Sequence, residues 1–101
     1  MAWKILVSIE AKNDIQEAIT WYEGKQKGLG KRFHKEVANR FRHLKRNPYF
    51  GIRYQRVRCL KIEKFPYLIH YVLDEASQTI IIPGVLNTSL NPDEYWFTDL
   101  E

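Results

Sequence analysis

Tyr67-Leu68-Ile69-His70-Tyr71-Val72-Leu73, then Asp74-Glu75-Ala76-Ser77-Gln78, then Thr79-Ile80-Ile81-Ile82-Pro83-Gly84-Val85-Leu86, is the stretch on which the fold turns. Two runs rich in β-branched and aromatic residues, joined by a short polar loop, predict a β-hairpin. Neither run alternates apolar with polar. Strands that are apolar on both faces are central in a sheet or covered on both sides. The rest of the chain therefore has to supply neighbours and cover for this hairpin.

Upstream, Arg58, Leu60 and Ile62 point one way, and Val57, Cys59, Lys61 and Glu63 the other, which predicts a further strand. Phe65-Pro66 interrupts, because proline has no N–H to give to a ladder. Before this strand the period is helical. Leu29, Phe33, Val37, Phe41 and Leu44 make one apolar stripe, ended by Asn47-Pro48. Ile15, Ala18, Ile19 and Tyr22 make another, on a helix over about residues 11–25, with Asp14 and Glu17 near its positive end. Gly24 and Gly28-Leu29-Gly30 break the two apart, so the helices form an antiparallel hairpin. Trp3 to Ile9 reads as an opening strand. Downstream, Asn91-Pro92-Asp93-Glu94 is a helix start, followed by Tyr95, Trp96 and Phe97. The predicted fold is α+β in the order β-αα-βββ: an antiparallel sheet packed on a helical hairpin, with a short C-terminal helix, as one domain over 1–101. The second face of that sheet needs side-chain cover or a partner.

Charge is segregated along the chain. Lys25 to Lys64 holds fourteen Lys and Arg against Glu36 and Glu63, a net +12, which leaves −8 elsewhere for a formal total of +4. Such a field attracts a polyanion or an acidic protein, although a solvated basic surface has the same composition. No apolar run approaches the ~20 residues of a membrane span. The N-terminal residues lack the pattern of a signal peptide. Cys59 is the only cysteine, so no intrachain disulfide and no metal framework is expected, and a reducing, cytoplasmic setting fits.

Several segments together resemble the RelE/ParE toxin superfamily. They are Ala11-x-x-Asp14-Ile15-x-x-Ala18 leading into Trp21-Tyr22-Glu23, then Gly28-Leu29-Gly30-x-x-Phe33, and Asn47-Pro48. They continue with Val57-Arg58, Phe65-Pro66-Tyr67-x-Ile69-x-Tyr71 and Asn91-Pro92-x-x-Tyr95-Trp96. The resemblance is to ParE-like plasmid-stabilisation proteins in particular. It implies the toxin half of a type II toxin–antitoxin pair, neutralised by a cognate antitoxin. Asn87 and Leu90 stand where related sequences carry a histidine and an arginine, and Glu63 or Lys64 where RelE-type ribonucleases place an arginine. RNA cleavage needs a base, an acid and fixed positive charge. The resemblance therefore implies gyrase binding ahead of ribosome-dependent mRNA cleavage. A non-toxic basic module that binds nucleic acid or protein is the remaining alternative.

For a catalytic role the candidates are Arg58, which matches the family's Val-Arg pair, and His70, opposite in phase to Ile69 and Tyr71 and so on the open side of the sheet. Arg58 reads equally as an arginine snorkelling past the core, whereas His70 reads first as a hydrogen-bonded structural histidine. For a polyanion or partner, the candidates on the second helix are Lys31, Arg32, Lys35, Arg42, Lys45 and Arg46. Arg56, Lys61 and Lys64 join them from the strand region, although the two lysines read first as ordinary surface residues. No cofactor is expected. The partners are an antitoxin and either gyrase or the ribosome with its mRNA.

Overall fold

A computed structural model describes residues 3–49 and 52–88. The chain runs β1 (Lys4–Val7), α1 (Ile9–Lys25), α2 (Leu29–Arg46), β2 (Ile52–Tyr54), β3 (Val57–Lys61), β4 (Tyr67–Asp74) and β5 (Thr79–Asn87). One mixed sheet has the order β1-β5-β4-β3-β2. The apolar hairpin β4–β5 is central, as its unbroken hydrophobic runs require. The α+β architecture expected from the sequence is present, with two additions. A short strand β2 pairs antiparallel with β3, and β1 lies parallel to β5 while every other pair is antiparallel. The predicted C-terminal helix lies outside the described residues.

β1 ends earlier than its apolar pattern implies, because Ser8 is an N-cap. Its Oγ accepts from the Ala11 N–H at 3.0 Å and its hydroxyl donates to the Pro83 carbonyl at 3.2 Å. Ile9 thus opens α1 and is exposed. Pro83 is tolerated inside β5 because Ile82 and Pro83 together face the single residue Tyr71, at an irregularity where a ladder donor is not needed.

The two helices are joined by a tight approach. Gly28 is left-handed at φ 88° and gives α2 no side-chain cap. Glu23 of α1 supplies one: its carboxylate accepts from the Gly28 N–H at 2.9 Å and the Gly30 N–H at 3.1 Å. Gly30 is needed here, since a Cβ would lie 2.5 Å from the Ile19 carbonyl oxygen.

The hairpin packs on one face of the sheet around Phe33, Val37 and Leu44 of α2, Ala11, Ala18 and Tyr22 of α1, and Ile69, Tyr71, Ile80 and Ile82 of the sheet. Tyr22, Phe33, Phe65 and Tyr67 form an aromatic cluster, with Tyr22–Phe65 at 4.9 Å and Phe33–Tyr67 at 5.1 Å in edge-on geometry. Phe33 is fully buried, so truncation to alanine there costs about 3–5 kcal/mol. The Tyr71 hydroxyl donates to the Pro48 carbonyl at 3.0 Å, fastening the end of α2 to β4.

Cross-strand partners share a face. Cys59, His70 and Gly84 align on the side away from the helices, and Leu60, Ile69 and Val85 on the side facing them. Val57, Cys59, His70 and Val72 are all buried. The middle of the second sheet face is thus less open than the sequence implied.

Candidate functional site

At 100° per residue, Lys31, Lys35, Arg42 and Arg46 fall along one line of α2, directly opposite its buried Phe33, Val37 and Leu44. Arg32 and Lys45 flank that line, and all six are exposed. The structure therefore gathers the six helix candidates into one cationic ridge, roughly 22 Å long at 1.5 Å per residue. The apolar stripe dictates this: residues that bury one side of a helix commit the charges to the other.

Beside the ridge is a concavity of about 420 Å³, lined by Glu36, Asn39, Arg40, Arg42, His43 and Arg46 together with Glu63. Arg40 pairs with Glu63 at 3.1 Å, and Arg42 donates to the Asn39 amide oxygen. Neither Arg40 nor His43 is among the candidates that the sequence offers for this surface. The i, i+3, i+7 and i+10 spacing of Glu36, Asn39, His43 and Arg46 was the signal that could have found it.

The remaining cationic candidates lie on other elements. Arg56, in the β2–β3 turn, lines a smaller concavity of about 150 Å³ with Arg58, Val72, Leu73 and Glu75. The Arg58 guanidinium sits 5.3 Å from the Tyr49 ring centroid and reaches the Tyr49 carbonyl at 3.5 Å. The Lys61 ammonium donates to the Ile62 and Phe65 carbonyls, both at 3.3 Å, and so closes the turn into β4. Lys64 is exposed in that turn with φ 70°.

Arg58 and His70 do not come together. Arg58 pairs across from Tyr71, on the helix side, while His70 pairs across from Cys59, on the other. His70 is 4% exposed, and its Nδ1 lies 3.8 Å from the Cys59 Sγ. Burial pushes the imidazole pKa down to about 4 and the thiol up to about 11. Both groups are neutral near pH 7: the imidazole carries no fixed charge and the sulfur is not a thiolate. His70 thus faces away from the helices as its phase predicted, yet it is enclosed rather than presented to a substrate.

A second concavity, of about 350 Å³, runs between α1 and the end of β5, lined by Asp14, Glu17, Ala18, Trp21, Tyr67 and Val85 among others. The Asp14 carboxylate accepts from the Val85 N–H at 3.1 Å, tying α1 to β5. Burial raises the Asp14 pKa above its usual value, against the lowering effect of that hydrogen bond. Trp21 is 56% exposed, with the Lys25 ammonium 4.7 Å from its ring centroid. Among the described residues, no group of three or more His, Cys, Asp or Glu side chains is placed to hold a metal ion. No described helix is long and apolar enough to cross a membrane.

Residues 5–91 match the family described as ParE toxin of type II toxin–antitoxin system, parDE. Among solved structures, the chain is similar to one from a chromosomal ParDE toxin–antitoxin system of P. aeruginosa. That similarity has a TM-score of 0.72 at 14% identity, over 84% of this chain and 95% of that one. It is also similar to a chain of the toxin–antitoxin complex RelBE2 from Mycobacterium tuberculosis, with a TM-score of 0.62 at 15% identity, over 86% of this chain and 99% of that one. At these identities the structures speak to the fold, while the family match speaks to the sequence. No curated protein matches the sequence.

Proposed function

Because the chain belongs to the ParE toxin family of type II toxin–antitoxin systems, we propose that it arrests growth in the cytoplasm by binding gyrase and is silenced by a cognate antitoxin. One observation carries the choice of binding over cleavage. His70 of β4 is buried and uncharged near pH 7, and the matching Arg58 projects from the opposite face. Cutting RNA through its 2′-hydroxyl needs a base and an acid within hydrogen-bond reach of one substrate. Arg58 and His70 do not meet that requirement, whereas a cationic ridge suits macromolecular docking.

Under this reading the antitoxin covers basic surface of the toxin, and Arg58, stacked beside Tyr49, is a target contact and not a reacting group. The test is expression of the chain with and without the gene beside its own, scoring growth, plasmid supercoiling and mRNA integrity together. Growth arrest with lost supercoiling and intact mRNA is the expected result. Arrest with cleaved mRNA, abolished by His70→Gln, would replace gyrase by ribosome-dependent cleavage. Normal growth with abundant folded protein would leave a non-toxic basic module.

A further inference from the structure

We propose that the lateral concavity of α2 is a phosphate-binding site that takes the backbone of a nucleic acid. The inference rests on the α2 surface and not on gyrase as the target. The concavity is lined by Arg40, Arg42 and Arg46 with Asn39 and His43, and by the carboxylates of Glu36 and Glu63, so cations outnumber anions three to two. A volume of about 420 Å³ lies in the range that holds a small ligand.

Arg40 decides the character of this site. It comes from further inside the helix, its side chain is only 21% exposed, and its partner Glu63 is 60% exposed. A surface carboxylate held by one such contact is weakly bound and exchangeable. The Arg40 fork has five donors, so an incoming anion can share or displace Glu63. Arg46 lies a turn beyond Arg42, and both lie on the ridge that Lys31 and Lys35 continue. The negative end of the α2 dipole is near Arg46 and offsets part of its charge, which makes the more interior Arg40 the stronger anchor.

A nucleic acid fits these features better than an acidic peptide. A tetrahedral phosphate offers acceptor oxygens in more directions than a planar carboxylate, which suits donors from three arginines. With one phosphate seated in the depression, the neighbouring phosphates of a strand follow the ridge as a row of charges. The competing reading is a solvated helix face whose arginines have no common ligand.

Fluorescence anisotropy of a short dye-labelled single-stranded oligonucleotide with the full chain tests the proposal, because it needs no gyrase and so fails or succeeds separately from the reading above. Arg40→Gln and Arg46→Gln are each expected to weaken binding about tenfold, the loss of one charge-assisted contact. Each is also expected to make the dependence of log K on log salt shallower by about one. Glu63→Gln should tighten binding, since it removes the competing carboxylate. Lys12→Gln, on α1, should change nothing. Circular dichroism confirms folding of each variant, and the exposed Arg46 provides the result if Arg40→Gln does not fold. Unchanged affinity and salt slope in both arginine variants would overturn the proposal. So would binding of a polyglutamate peptide at this site with no binding of the oligonucleotide.

Discussion

Gly24→Ala and Gly30→Ala are the same chemical change on two helices, and the structure assigns them opposite signs. Gly24 lies in α1 with nothing within 4 Å of an added Cβ. Alanine there gains helix propensity, worth up to about 1 kcal/mol. At Gly30 the added Cβ would meet the Ile19 carbonyl oxygen at 2.5 Å and Glu23 atoms at 3.1 Å. A backbone oxygen on a packed helix cannot step aside, so α1 and α2 must separate, an overpacking cost of about 1–3 kcal/mol. The separation also pulls Glu23 from the N–H groups of Gly28 and Gly30, and a lost cap costs about 1 kcal/mol. After the propensity gain, Gly30→Ala should destabilise by about 1–3 kcal/mol. In a domain of this size that lowers Tm by roughly 4–8 °C per kcal/mol, while Gly24→Ala raises it by a few degrees. Urea and thermal unfolding monitored by circular dichroism read both. If Gly30→Ala stabilises the protein as much as Gly24→Ala, the close helix contact and the capping role of Glu23 are refuted together.

Three further outcomes follow from the buried polar groups. The His70 pKa falls from 6.5 to about 4 on folding, so the unfolded chain binds more protons across that window. Its contribution is whole above pH 6.5 and is lost as pH falls toward 4, roughly 3 kcal/mol in all. The raised Asp14 pKa works in the opposite sense just above 3.8, so comparing wild type with His70→Gln isolates the histidine, and an unaltered pH profile in His70→Gln would count against its neutral burial. Cys59, buried with its pKa near 11, should react with iodoacetamide at pH 8 far more slowly in the native protein than in urea; equal rates would show an accessible thiol. Tyr71→Phe removes the buried bond to the Pro48 carbonyl and should cost about 1 kcal/mol or somewhat more in urea unfolding, and a neutral result would leave that fastening without energetic weight.

What could be read from the sequence was whatever repeats with a fixed period. The stripe Leu29-Phe33-Val37-Leu44 fixed both the extent of α2 and the direction of its charges, and the unbroken apolar runs put β4 and β5 in the middle. Side-chain alternation also placed His70 opposite Ile69 correctly. It could not say that His70 is enclosed, because burial depends on neighbours such as Cys59 that meet it only through sheet register. β2 was missed for a similar reason. Its turn into β3 is Gln55-Arg56, with Gln55 at φ 55° and no Asn-Gly or glycine to signal it. The hydrophobicity of Ile9 continues the run of the first strand, whereas the Ser8 cap ends it. The Glu23 cap and the Arg40 concavity each join residues from different elements, and no single-segment pattern reveals such a meeting.

The pairing of β1 with β5 ties the first of the described strands to the last of them. On the ribosome the helical hairpin can collapse as it emerges, but Ile5 and Val7 have no strand beside them until Ile80 and Ile82 leave the exit tunnel. Any chain stopped before residue 79 keeps its first strand unmatched and one side of its core uncovered. The complete sheet, and any activity that needs it, therefore cannot form until β5 has left the ribosome.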